Sequence, residues 1–241
     1  MLFQMCYGPE LKVIYESIRQ NPGLNRNHLK NDYQYKEKGD ISSLIDGALT
    51  MLIDLNFIHE DEGYMYVKDD RDWRVTSVFK ELSNISKCEE RETLNFIFSS
   101  LYDQVFVKPN QLFVTNIHYQ INSSLSKMMV GHEKINAWKR IMEYFGLGRR
   151  VYSGFYALPN LALLHEIIME VGEWEGGLHP FCENVINPIL PCITSEGNIF
   201  RGMLYGLIAL NEEKIIEVSN KQDLPYKSYG PNHQWNWIKI H

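Results

Sequence analysis

Lys134, Lys139, Arg140, Arg149 and Arg150 form the one basic concentration in this chain. On a helix followed by a hairpin, such residues can grip a phosphate backbone without reading bases. The plainer reading is a solvated helix face whose basic last turn complements the helix dipole. His179, Cys182 and Cys192 are three potential zinc ligands. Their spacing matches no common structural zinc pattern and no fourth ligand is evident, so buried structural cysteines account for them better. Glu166 and Glu170 would share a helix face, but there is no His-Glu-x-x-His pair beside them, which leaves a solvated acidic face. The sequence holds no Walker-type phosphate loop and no Gly-x-Ser-x-Gly elbow. Gly146-Leu147-Gly148 lacks the third glycine and the preceding strand of a dinucleotide fingerprint. The expectation is therefore no catalytic residue, no metal and no cofactor, in a protein that is not an enzyme.

The elements that must position these residues are legible from periodicity. Glu10 to Gln20 reads as a helix with Leu11, Ile14 and Ile18 on one face, stopped by Asn21-Pro22-Gly23. Leu24 to Lys30 is a second helix, and Asp40 or Ser42 can cap a third that runs to about Leu55. Asn56 to His59 and Tyr64 to Val67 make a hairpin around the acidic tip Glu60-Asp61-Glu62. Lys68 to Asp72 reads as a charged hinge. A short helix from Val75 and another from Glu89 to Tyr102 follow, while Leu112 to Gln120 fits strand or helix.

His132 to Phe145 is a strong amphipathic helix with Gly146 at its C′ position, and Leu147 to Leu158 is hairpin-like. Pro159 suits the first turn of a helix lined by Leu161, Leu164, Ile167, Ile168 and Val171. Phe181 to Ile186 reads as helical, and Ser195 or Asn198 can cap a helix to Leu210. Lys214 to Val218 and Trp235 to Ile240 alternate as strands around a long Pro/Tyr/Asn/Gly loop. The two tryptophans, Trp235 and Trp237, are expected to face the core and the loop tyrosines, Tyr226 and Tyr229, a partner. The fold class is then mainly α with small β-hairpins (α+β), divided as residues 1–70, 73–160 and 161–241.

Charge narrows the function. The net charge is −6 over 241 residues, with 44% hydrophobic and 22% charged residues, ordinary for a globular protein. Residues 1–72 hold 8 Lys/Arg against 13 Asp/Glu, residues 132–165 hold 5 against 2, and residues 166–196 hold no Lys or Arg and 6 Glu. Only the middle block suits phosphate. The third helix, Ile41 to Leu55, contains no Lys or Arg and carries Asp46 and Asp54. A helix that enters the major groove reads bases with Arg, Lys, Asn or Gln, so this face is expected to bind protein through Asp46, Asp54, Glu60, Asp61 and Glu62. The N-terminus lacks the pattern of a signal peptide, no apolar run approaches the ~18 residues of a spanning helix, and the four scattered cysteines suit a reducing compartment. A cytoplasmic protein away from membranes is the expectation.

The order of elements over Pro9–Val67 resembles the winged-helix superfamily, and helix-then-hairpin order behind it suggests two further units. The run Ile135 to Gly148, with Phe155, Leu158-Pro159-Asn160 and Leu163, resembles accessory proteins of bacterial defence loci, such as the G-protein family of 7-deazaguanine DNA-modification loci. That likeness covers roughly a tenth of the chain. It implies a non-catalytic tandem winged-helix subunit of a DNA-handling, antiviral complex, working beside ATPase, nuclease or helicase partners whose basic surfaces meet the acidic ones here. It transfers no catalytic residue, and the acidic 166–196 block departs from it. A rival expectation is a winged-helix transcriptional regulator. Size, acidity and poor recognition helices also resemble the tandem winged-helix subunits of bacterial SMC complexes, an analogy of architecture alone.

Overall fold

The computed structural model describes residues 1–34, 39–125, 129–222 and 227–241. Small α+β elements alternate along it. The first group is α1 (Pro9–Gln20), β1 (Leu24–Asn25), α2 (Arg26–Tyr33), α3 (Ser42–Asp54), β2 (Ile58–Asp61) and β3 (Tyr64–Val67), followed by α4 (Val75–Cys88). Next come α5 (Leu94–Tyr102), continuing as a π-turn over Asp103–Val107, then β4 (Phe113–Val114), α6 (Ile117–Ser123), α7 (His132–Tyr144), β5 (Arg149–Val151) and β6 (Gly154–Tyr156). The last group is α8 (Leu161–Val171), β7 (Trp174–Gly177), α9 (Leu178–Phe181) with a π-turn over Cys182–Ile186, α10 (Arg201–Glu212), β8 (Ile216–Ser219) and β9 (Trp237–Ile240). The order helix, strand, helix, helix, hairpin thus occurs three times. Each time it yields a three-stranded antiparallel sheet with the last strand in the middle: β1-β3-β2, β4-β6-β5 and β7-β9-β8.

Packing groups the chain into two compact units, residues 1–99 with 125–145 and residues 100–124 with 146–241. The three-part division by sequence follows the spacing of the sheets; it cuts differently from packing, which assigns α7 to the first unit and the β5–β6 hairpin to the second. The stretch read as a hinge is tied down. Arg19 binds Asp70 and Asp72, both at 2.7 Å, and the Tyr15 hydroxyl donates to the Arg71 carbonyl at 2.8 Å.

In the first unit, α1 packs on α3 through Leu11, Ile14, Ile18, Ile45, Leu49 and Leu52, all buried. Tyr15 sits edge-on to Phe57 at 5.5 Å, with Trp73 closing the cluster at 5.2 Å from Phe57. Pro9 opens α1 without wasting a backbone donor, and the Glu10 carboxylate accepts from Gly8 N–H at 3.0 Å. Asn25 caps α2 by accepting from His28 N–H at 2.9 Å. Asp40 takes the Ser42 N–H at 2.8 Å ahead of α3. The β2–β3 hairpin turns through Glu62 and Gly63, at φ 47° and 85°, the two positive values a tight hairpin of matching twist needs. Within the same unit the Trp138 indole of α7 donates to the Phe98 carbonyl at 3.0 Å.

In the second unit, α8 and α10 pack together through Leu164, Ile167, Leu207 and Leu210, all buried. Asn160 caps α8 by accepting from Leu163 N–H at 2.9 Å, so Pro159 precedes the cap and does not occupy the first turn. Neither Ser195 nor Asn198 caps α10. Its first donor, Arg201 N–H, goes to Asn110 Oδ1 at 3.1 Å, from a turn far earlier in the chain. Leu112 to Gln120 resolves into both alternatives, a two-residue β4 and then the start of α6. The tryptophan expectation is corrected here: Ile238 and Ile240 point inward from β9, which leaves Trp237 half-buried on the outer face beneath Lys221 at 3.9 Å.

Candidate partner-binding and nucleic-acid surfaces

The acidic face of the first unit is largely occupied by its own chain. Arg26 reaches Asp46 at 2.8 Å and Glu60 at 3.1 Å, and Lys30 stands 4.0 Å from Asp46. Thr50 also turns inward, donating to the Asp46 carbonyl at 2.8 Å. Asp54 pairs with the Met1 ammonium. Of the expected partner-binding acids, Asp61 and Glu62 at the hairpin tip are exposed and enter no ion pair among the described residues. Asp46, Asp54 and Glu60 therefore serve first as internal ion-pair partners.

The expected phosphate-binding set is divided between the two units. Lys134, Lys139 and Arg140 lie on α7 in the first unit, whereas Arg149 and Arg150 lie on β5 in the second. Lys139 is only 6% exposed, too buried for the phosphate contact expected of it. Arg140 places its guanidinium 4.8 Å over the Tyr7 ring and near the Met5 sulfur at 3.6 Å, a cation–π arrangement that engages its charge. Lys134 is half-buried, and Arg149 and Arg150 are exposed.

Around the third sheet, Tyr226 lies outside the described residues. Tyr229 is held inside its own unit: its hydroxyl lies 2.5 Å from His179 Nδ1, with the two rings nearly parallel. Burial, with Lys227 nearby, lowers the His179 pKa against a smaller opposing effect of Glu183, so the neutral ring is favoured. Burial also pushes the Tyr229 pKa up to about 12. Cys182 and Cys192 are buried, and the Cys192 thiol meets the Cys182 carbonyl at 3.2 Å. Desolvation drives that thiol's pKa well up, keeping it protonated and acting as a small packing group. Among the described residues no group of three or more His, Cys, Asp or Glu side chains is placed to hold a metal ion, and no helix is long and apolar enough to cross a membrane. In the acidic 166–196 block, Glu175 is paired with Lys221 at 3.2 Å and Lys239 at 3.9 Å, and hydrogen bonding to Lys221 lowers its pKa.

Sequence reasoning missed the aromatic face of the second sheet. Phe113 on β4 is 40% exposed, Tyr156 on β6 is 37% exposed, and their centroids are 6.2 Å apart. Tyr152 at the tip of the β5–β6 hairpin is wholly exposed at φ 51°, an uncommon backbone for a bulky residue. Alternation over so short a strand gave no usable signal, because β4 is two residues long. Comparisons with protein-family models, with curated proteins and with solved structures found no match for this chain.

Proposed function

We propose that this chain is a non-catalytic assembly subunit built of tandem winged-helix units, serving a bacterial multi-protein DNA-handling complex of the antiviral kind. The thrice-repeated element order with the last strand central supports the winged-helix reading. One observation carries the functional reading: the third helix of each repeat, where a helix-turn-helix protein places its base readers, offers almost none. On α3 the polar groups Asp46 and Thr50 are bound within the chain. On α7 Lys139 is buried and Arg140 is engaged by Tyr7. On α10 the Arg201 guanidinium is held by the Asn110 carbonyl at 2.9 Å, beside an exposed Tyr205. Such helices suit protein partners, with Asp61 and Glu62 at the first hairpin tip steering basic surfaces.

Co-purification of the tagged protein from its native locus tests this. Stoichiometric recovery of neighbouring gene products is the expected result. Sequence-selective binding to the DNA upstream of its own gene, without such partners, would establish the regulator instead.

A further inference from the structure

We propose that the outer face of the β4-β6-β5 sheet is a stacking platform for single-stranded DNA. In register, Phe113 pairs with Tyr156 and Tyr156 with Arg149, so two rings and a guanidinium form one row across the three strands. All three side chains are exposed. Arg149 makes no ion pair or side-chain hydrogen bond among the described residues. Neighbouring strands lie about 4.8 Å apart, which keeps such a row continuous. Gly154 is the next outward position on β6, and a Cβ there would stand 2.7 Å from the Phe113 ring. Its missing side chain leaves room for the Phe113 ring to lie over it.

The charge of the surroundings selects the occupant. Residues 104–124 and 146–165, which build this sheet and its connections in the second unit, contain no Asp or Glu, whereas the whole chain is net −6. The cations Arg149 and Arg150 lie within those stretches, whereas Lys108 is engaged by the Ile193 carbonyl at 3.1 Å and by Asp103 at 4.0 Å. Exposed aromatics beside Arg149, which no carboxylate engages among the described residues, match a nucleic-acid strand, whose bases stack on rings while phosphates meet arginine. A duplex hides its base faces, so the strand must be single. The row holds no amide or carboxylate to read a 2′-hydroxyl, the group that distinguishes RNA. This platform is independent of the assembly role above.

The test is fluorescence anisotropy of the full chain with labelled oligothymidylate, against oligouridylate and a duplex of equal length. Oligothymidylate should bind more tightly than the duplex and at least as tightly as oligouridylate. Phe113→Ala and Tyr156→Ala should each weaken it by on the order of tenfold, while Tyr156→Phe retains binding and Met169→Ala, at an exposed position on α8 of the same unit, leaves the oligothymidylate affinity unchanged. Arg149→Ala should flatten the salt dependence by about 0.7 in the log–log slope, the value for one phosphate on a single strand. Equal circular dichroism spectra of the variants certify their folding. Preference for the duplex or for oligouridylate, absence of binding at low salt, or ring variants that bind as wild type would each overturn the proposal. So would ring variants that lose a co-purifying protein while oligothymidylate affinity stays intact.

Discussion

The Arg26 guanidinium lies 2.8 Å from the Asp46 carboxylate, joining the start of α2 to the third helix of the same repeat. The same guanidinium reaches Glu60 on β2 at 3.1 Å, so one cation holds together helix, helix and hairpin. Partial exposure of all three groups limits the strength of this link. Arg26→Ala should cost no more than about 1 kcal/mol in urea unfolding. Asp46→Ala should leave partner recovery unchanged, while Asp61→Ala with Glu62→Ala reduces it. Loss of the partner on Asp46→Ala alone would return that residue to the interface.

Tyr102 is buried in the second unit, edge-on to Phe200, and its hydroxyl finds no hydrogen-bond partner among the described residues. A buried unpaired hydroxyl is a desolvation cost that phenylalanine lacks. Tyr102→Phe should therefore stabilise the protein by about 1 kcal/mol, up to ~3. Chemical denaturation reads this directly. A destabilised variant would show that the hydroxyl is satisfied.

Asp103, next along the chain, has its carboxyl pKa raised by burial, with Lys108 opposing. The folded state thus binds its proton more readily than the unfolded chain does. Between the ordinary carboxylate value and the raised one, stability falls as pH rises, and above that window the penalty is complete. Asp103→Asn should be more stable than wild type at neutral pH and lose that advantage as acid protonates the wild-type group. Melting temperatures from pH 3 to pH 8 check both the sign and the convergence; an Asn variant less stable at pH 7 contradicts it.

Gly63 closes the acidic hairpin at φ 85° with nothing within 4 Å of the position a Cβ would take. The cost of a side chain there is purely conformational. Gly63→Ala should destabilise by about 1–2 kcal/mol, and Gly63→Asn by less, because asparagine tolerates the left-handed region better. Thermal unfolding of the pair separates backbone strain from packing: equal losses would implicate packing.

What the sequence by itself determined is what is encoded over one or two turns of chain. The amphipathic periods of α1, α3, α7 and α8 were legible, as were the Asn21-Pro22-Gly23 stop, Gly146 after α7, at φ 81°, and the hairpin around Glu62-Gly63. The α+β class followed from these. Tertiary structure alone decided the rest, because it depends on groups that meet only after collapse. The two-residue β1 and β4 are too short to show a period and exist through pairing with β3 and β6. Asn110 caps α10 from a distant turn, and no local pattern announces such a partner. Lys139 and Arg140 adjoin in sequence, yet one is buried and the other lies over Tyr7. The outer face of β9 went to Trp237 because Ile238 and Ile240 took the core. Counting charges showed where cations and carboxylates were abundant; only folding decided that Arg26 would occupy Asp46 while Arg149 stood in the open beside Tyr156.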